Sequence, residues 1–142
     1  MNRFLGILAV IVTLIVPRAG CAEALLIIAN RSVDASVELR LADVASIYLL
    51  RLTVWPGGLH IVPVNREATS DARKKFTASV LKQGNASLTA YWNAMHFKGK
   101  RPPVIQESER AMLAFVQKVP GAVGYITAST HPTNVLVLGT IP

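Results

Sequence analysis

A strand-like segment that runs directly into a helix-like segment limits the fold of this chain more than any other feature. The segment His60–Phe76 consists of a short apolar run, a polar turn and a basic helix, HIVPVNREATSDARKKF. Thr69 or Ser70 is suited to cap this helix, which is predicted to end near Lys82. In α/β proteins ligands sit at such junctions, because the carboxyl end of the strand meets the free N–H groups of the helix.

The rest of the chain continues this alternation. Further strands are predicted at Leu25–Asn30, Gly121–Ile126 and Val135–Gly139, and further helices at Leu41–Leu50, at Leu88–Phe97 and from Ser108 onward. The run LLIIAN is apolar throughout, as expected for a strand of a parallel sheet that helices cover on both faces. The glycines of GAVGYI indicate close approach of a neighbouring group. Strands that alternate with helices predict a layered α/β domain.

Three local details carry their own predictions. Pro63 lacks a backbone donor, which predicts an edge or strand-end position for it. Arg40 stands where a capping Ser or Asp would be expected, so the helix at Leu41 is predicted to be poorly capped. The third helix has four large apolar residues, which predict packing in the core: Tyr91, Trp92, Met95 and Phe97.

The N-terminal residues are predicted to be a signal peptide. Arg3 precedes an unbroken apolar run of residues, Phe4–Val16. That run is shorter than the roughly 20 residues that span a bilayer, whereas it suits the core of a signal peptide. Cleavage after Ala22 or Ala24 fits the small residues there, and we assign 1–22 to the signal peptide and 23–142 to the folded domain. An uncleaved N-terminal anchor is the alternative interpretation.

Cys21 is the only cysteine. The segment RAGC is similar to a lipoprotein cleavage box, but Arg18 stands where such boxes have an apolar residue, so a lipid anchor is not favoured. Cleavage after Ala22 leaves a chain with no disulfide, thiol nucleophile or cysteine metal site. Because of the predicted signal peptide, the domain is expected in the periplasm or outside the cell, with no stable membrane span after cleavage.

The charge is concentrated in one part of the chain. The net charge is +7, and without Arg3 and Arg18 the chain keeps 13 basic and 8 acidic residues. Eight of the basic residues but only two acids lie within Arg66–Arg101. This field favours anions, nucleic acid or acidic membrane surfaces, and export argues against nucleic acid. A solvated basic face that maintains solubility is the alternative.

The sequence predicts a binding protein, not an enzyme. It has no nucleophile elbow, zinc-protease motif or C-x-x-C pair, and its three histidines, His60, His96 and His131, lie far apart. No catalytic residue, metal or cofactor is expected. Anion capture has more support, because Arg66 offers a planar fork of donors and Thr69 and Ser70 offer hydroxyls beside a helix N-terminus. In the alternative interpretation Thr69 or Ser70 only caps the helix and Arg66 pairs with Glu67 or solvent.

Several segments in order resemble one protein family. They are ADVASIYLL, VWPGG, IVPVNRE with a serine four residues after Arg66, YW, FKGK and AMLAFVQKVPGAVGYI. Together they resemble the substrate-binding protein of phosphate ABC transporters, and more closely its short, single-lobe relatives. The most specific part is FVQKVPGAVGYI, where the family has V-x-x-x-P-G-A-I-G-Y. The resemblance implies a three-layer, type II periplasmic-binding-protein lobe, with a mixed, mostly parallel sheet flanked by helices.

The resemblance also implies a phosphate site. Full-length phosphate binders have R-x-D-G-S-G-T at the strand-to-helix junction, where Arg66 and Ser70 match the Arg and the Ser. The other positions differ, since Ala68 replaces the Asp, Thr69 and Asp71 replace the glycines and Ala72 replaces the Thr. Without glycines the backbone approaches an oxyanion less closely, and Asp71 adds negative charge. Because a single lobe also leaves the anion half solvated, we expect roughly millimolar affinity at best.

The resemblance implies an exported solute-binding-like protein, linked to ABC-type phosphate transport, that binds phosphate or a similar oxyanion weakly. Its partner would be an ABC permease or another envelope protein. The alternative is a non-catalytic envelope interaction domain that has lost its ligand.

Overall fold

The computed structural model describes residues 23–142, so the predicted signal peptide at 1–22 and Cys21 lie outside the described residues. The described chain forms, in order, β1 (Leu25–Ala29), α1 (Leu41–Tyr48), β2 (Val62–Arg66), α2 (Asp71–Phe76), α3 (Asn85–Phe97), β3 (Val104–Gln106), α4 (Glu109–Lys118), β4 (Ala122–Thr127) and β5 (Leu136–Ile141). A π-helical turn, Thr77–Leu81, continues α2. No helix within this part of the chain is long and apolar enough to cross a membrane.

The strands form one sheet in the order β3-β2-β4-β1-β5. β2 pairs in parallel with β3 and β4, whereas β1 pairs antiparallel with both β4 and β5. Four strands therefore run one way and β1 runs the other way, which confirms the mixed, mostly parallel sheet. The prediction that β1 pairs in parallel is wrong. A continuous apolar run indicates that both faces of a strand are buried, but it does not indicate the direction of the strand.

Helices cover both faces of this sheet, as the three-layer prediction requires. On one face Val44, Ile47 and Tyr48 of α1 pack with Phe76 of α2 and Val80 of the π-helical turn. On the other face Met112 and Val116 of α4 pack against Ile28, Val64 and Ile126. The domain thus buries apolar side chains on both faces of β1 and β4, and such burial is the main favourable contribution to folding.

The strand that leads to the predicted site begins two residues later than expected, at Val62, and lies inside the sheet. Pro63 is its second residue and pairs with Val123 of β4. Pairing with β3 begins only at Val64, so the missing donor of Pro63 lies outside that ladder. The prediction of a strand-end position for Pro63 is confirmed.

Gly124 of β4 allows close approach, as predicted for the segment GAVGYI. A Cβ atom built on Gly124 would lie 2.4 Å from the sulfur of Met112. Since Met112 is fully buried on α4, this glycine lets the helix sit tightly on the sheet.

The start of α1 lacks a side-chain cap, as predicted, because the arginine at its N-cap has no acceptor. The Asp43 carboxylate instead accepts the backbone N–H of Arg40 and pairs with its guanidinium, both at 3.0 Å.

Two predictions for α3 need correction. α3 begins at Asn85 rather than Leu88, so Ser87 lies in its first turn. The expected core packing of its aromatic residues is wrong for Phe97, whose residue surface is 88% exposed; Leu88 is the buried residue of this helix.

Candidate functional site

Arg66 lies at the carboxyl end of β2, where the strand enters the turn that leads to α2. Its neighbours β3 and β4 run parallel to β2 on either side, so the site lies at the edge where three strand ends meet. Despite its charge, Arg66 is buried, with 7% of its surface exposed. A buried guanidinium requires partners that compensate for the loss of hydration.

Two carboxylates supply those partners. Arg66 Nε and Nη2 donate to the two oxygens of Glu67 at 2.9 and 3.0 Å, and Nη1 donates to Glu109 Oε1 at 3.3 Å. The hydrogen bonds from Arg66 hold the pKa of Glu67 below its usual range, and Glu67 raises the pKa of Arg66. One guanidinium therefore faces two negative charges, and the pairing with Glu67 matches the alternative interpretation of the sequence.

The backbone of Arg66 is held as firmly as its side chain. Its N–H donates to the Tyr125 hydroxyl and to Asn65 Oδ1, each at 3.2 Å. Tyr125 in turn donates to Asn65 Oδ1 at 2.5 Å. The Arg66 carbonyl accepts from Arg73 Nη1 at 2.9 Å. Arg73 is half-buried at the junction, where its guanidinium holds the carbonyl of Arg66.

The two hydroxyl residues of the turn differ in their surroundings. Ser70 is the N-cap of α2, and its hydroxyl accepts the N–H of Arg73 at 3.1 Å. This confirms the cap predicted at Thr69 or Ser70. Thr69 is exposed beside it. One short segment therefore contains Arg66, Thr69 and Ser70. The Ser70 hydroxyl caps the helix, whereas Thr69 is exposed to solvent.

Glu109 also belongs to this region, although the sequence does not indicate it. It is the first residue of α4, and its carboxylate contacts Thr127 and Thr130 as well as Arg66. Only its place after the capping residue Ser108 was visible in the sequence. Nothing in the spacing connects it to Arg66, because the two residues are 43 positions apart.

Three cavities adjoin the junction. One, of about 480 Å³, is lined by Glu23, Leu25, Asp71, Ala72, Lys75 and Thr127. The other two, of about 290 and 450 Å³, lie between α2 with its π-helical turn and α3, and share Ala68, Arg73, Asn85 and Leu88. The first lies at the carboxyl end of β4, the position at which α/β sheets bind ligands.

Metal-binding chemistry finds no support among residues 23–142, which contain no group of three or more His, Cys, Asp or Glu residues placed to hold an ion. All three histidines are exposed. The junction offers a guanidinium and hydroxyl groups that take part in hydrogen bonds and charge pairs.

The fold matches solved structures of transport proteins. A protein from Clostridium perfringens assigned as a phosphate ABC transporter substrate-binding protein, solved with bound phosphate, has a TM-score of 0.63 and 24% identity, over 82% of this chain and 45% of that chain. An ABC-type phosphate transport receptor from Vibrio cholerae has a TM-score of 0.64 and 19% identity, with coverage of 82% and 46%. This chain has the phosphate-receptor fold.

PstS from Borrelia burgdorferi has the same phosphate-receptor fold, with a TM-score of 0.64 and 15% identity over 82% of this chain and 47% of that chain. The chain thus spans less than half of each of these three proteins, in keeping with a single lobe. No family model matches the sequence, and none of the curated proteins does. The fold expected from FVQKVPGAVGYI is confirmed, and this motif runs from α4 into β4.

Proposed function

We propose that this domain is an exported solute-binding-like protein that binds phosphate or a similar oxyanion weakly at the β2–α2 junction, through Arg66, Thr69 and Ser70. The observation that carries the proposal is the buried guanidinium of Arg66 at the carboxyl end of a strand in the phosphate-receptor fold. A guanidinium offers several donors in one plane, which suits the oxygens of phosphate. Transport of the solute would involve an ABC permease.

The charges around Arg66 make this binding weak. Glu67 and Glu109 already pair with its guanidinium, and Asp71 follows the turn. An incoming anion gains contacts with Arg66 only by displacing a carboxylate and by approaching the others. We expect a dissociation constant of about 1 mM or weaker, which corresponds to a binding free energy of roughly −4 kcal/mol.

Calorimetric titration with phosphate tests this proposal. The wild-type protein is expected to bind in the millimolar range, and Arg66→Ala is expected to lose binding. Glu67→Gln keeps the shape of the side chain but removes the competing charge, so its affinity should rise by roughly fivefold, equivalent to about 1 kcal/mol. Sodium chloride at equal ionic strength is the control for screening.

The result for Glu67→Gln distinguishes binding of phosphate at Arg66 from nonspecific attraction of phosphate to a basic surface. If phosphate binds through general attraction, Glu67→Gln and the distant variant Glu38→Gln will strengthen it equally. No heat in any variant up to concentrations on the order of tens of millimolar would remove the proposal.

A second candidate is a non-catalytic envelope interaction domain, and the surface of α3 favours it. Phe97 is 88% exposed at the end of this helix, and Lys98, Lys100 and Arg101 follow it, all exposed. Residues 72–106 contain no acidic residue. An aromatic side chain among cations suits a partner protein with an acidic rim, because aromatic residues anchor interfaces and complementary charge steers association.

Crosslinking in periplasmic extract at low and moderate salt tests the second candidate. A specific partner should be recovered with the wild-type protein and lost with Phe97→Ala, because an anchoring aromatic residue contributes roughly 2 kcal/mol or more. Val137→Ala, which shortens another exposed apolar side chain on β5, is the matched control and should retain the partner. Recovery that is equal for both variants, or absent for the wild type, argues against this function.

A further inference from the structure

Four donor groups converge on one carboxylate at the end of β4. The backbone N–H of Thr127 donates to both oxygens of Glu109 at 3.0 Å, and its hydroxyl donates at 2.9 Å. The Thr130 hydroxyl donates to the same carboxylate at 2.5 Å, and Arg66 Nη1 lies 3.3 Å from it. A backbone N–H, two hydroxyls and a guanidinium form the kind of donor set that holds an oxyanion.

We propose that this donor set, formed by Thr127, Thr130 and Arg66, is a further oxyanion site of the domain and that the Glu109 carboxylate occupies it as a resident anion. An external anion reaches the donors by displacing Glu109. The biological meaning of this inference rests on the proposed anion-binding function, but the donor geometry does not. This site lies at the end of β4, next to the site proposed at the β2–α2 turn, and the two sites share only Arg66.

Glu109 makes the weaker of the two carboxylate pairings with Arg66. Its single contact of 3.3 Å is longer than the two contacts of 2.9 and 3.0 Å that Glu67 makes. Two carboxylates at one guanidinium repel each other, which weakens the second pairing. The Glu109 side chain is 22% exposed, so solvent reaches it although Thr127 and Thr130 also donate to it.

Rotation of Glu109 away from the donors leaves the start of α4 intact. This helix is capped by Ser108, whose hydroxyl accepts the N–H of Ala111 at 3.0 Å. The carboxylate of Glu109 does not take part in that cap. The side chain can therefore turn into solvent while the backbone that carries it stays in place.

The space next to Thr127 suits a small anion with a single charge. Thr127 lines the cavity of about 480 Å³, which is large compared with the roughly 30 Å³ that one water molecule occupies. Two carboxylates, Glu23 and Asp71, and one cation, Lys75, line the same cavity, and Glu67 remains on Arg66. These carboxylates oppose a second negative charge on the ligand, so the ligand class is a carboxylate or dihydrogen phosphate, in preference to a dianion such as sulfate.

Removal of the resident carboxylate should let free anions take its place. Glu109→Ala is purified and its thermal unfolding is followed at mildly acidic pH in acetate, formate, phosphate or sulfate, with sodium chloride at equal ionic strength. Glu107→Ala, an exposed carboxylate two residues earlier, is the matched control. We expect Glu109→Ala to unfold at a lower temperature and to recover saturably with the singly charged anions, with an affinity at least roughly tenfold above that of the wild type.

Every outcome decides the inference. Saturable recovery confined to Glu109→Ala supports it, whereas recovery that chloride or Glu107→Ala reproduces contradicts it. A Glu109→Ala protein that refolds at no concentration of acetate or formate also contradicts it, because the anion should replace the lost carboxylate. Failure of the proposed function has a different signature: the wild-type protein then binds no phosphate, even when Glu109→Ala responds to anions.

Discussion

Gly121→Ala is expected to destabilise the domain by roughly 3 kcal/mol or more, because two independent penalties add at this position. Gly121 has a φ of +75°, a conformation that side chains other than glycine rarely adopt. A Cβ atom there would also lie 2.0 Å from the carbonyl oxygen of His60, which is backbone and cannot rotate away. For a domain of this size the midpoint of thermal unfolding should fall by roughly 10 °C.

Relaxation around Gly121 is limited because its peptide groups are already bonded. Its N–H donates to the Ser32 hydroxyl at 2.9 Å, and its carbonyl accepts from Val62 N–H and Trp55 Nε1, both at 3.0 Å. A shift of Gly121 that relieves the clash with His60 would break these bonds. The clash is therefore expected to distort the starts of both β2 and β4, the strands that contain Arg66 and Thr127.

Gly99→Ala is the matched control for this prediction. Gly99 has nearly the same φ, +73°, but a Cβ atom there meets nothing within 4 Å. It should therefore show only the conformational penalty of about 1 kcal/mol. Equal melting temperatures for the two variants would show that the approach of His60 to Gly121 does not constrain the fold.

The layered fold could be predicted from the sequence because its signals are local. A few neighbouring residues suffice to predict each of three features: the apolar strand at Leu25–Ala29, the capping Ser70 and the glycine-containing β4. β3 could not be predicted in this way. Val104–Gln106 has three residues, is largely exposed and forms a strand only because it pairs with β2. Pairing between distant segments leaves no periodicity in so short a stretch.

The candidate site could be predicted only in part, for the same physical reason. Arg66 and Ser70 were found because both belong to one continuous strand–turn–helix segment. Glu109 contacts both Arg66 and Thr127, which lie 43 and 18 positions away in the sequence, and residue types alone do not indicate those contacts. The aromatic residues of α3 gave a wrong prediction because apolar content does not specify burial. Phe97 lies beyond the buried Leu88, at the exposed end of the helix.

The buried tyrosines are expected to make the domain less stable in alkaline solution. Burial raises the pKa of Tyr125 to about 12 and raises the pKa of Tyr48 well above its ordinary value near 10. The unfolded chain releases these protons as the pH passes about 10, whereas the folded chain retains them. The two protonated tyrosines therefore make their full contribution to the free energy of unfolding below about pH 10. This contribution falls as the pH rises towards 12.

The loss from Tyr125 alone should reach about 3 kcal/mol, since two pKa units correspond to that free energy, and Tyr48 adds to it. Both hydroxyls donate to buried acceptors, Tyr48 to the Val64 carbonyl at 2.7 Å and Tyr125 to Asn65. Ionisation removes these donors, so the phenolate form destabilises the folded state. For Tyr125 the lost hydrogen bond is the one to Asn65, the residue before Arg66. Urea unfolding measured from neutral to alkaline pH gives the slope.

Tyr48→Phe and Tyr125→Phe, combined, separate this effect from the titration of lysines. The double variant should be less stable than the wild type at neutral pH by roughly 2 kcal/mol, because the acceptors lose their donors. Its stability should nevertheless fall less steeply above about pH 10, because no buried phenol remains to ionise. The two curves should thus converge as the pH rises. Parallel curves would mean that the alkaline loss arises elsewhere and that the phenols beside Asn65 and Val64 do not couple folding to pH.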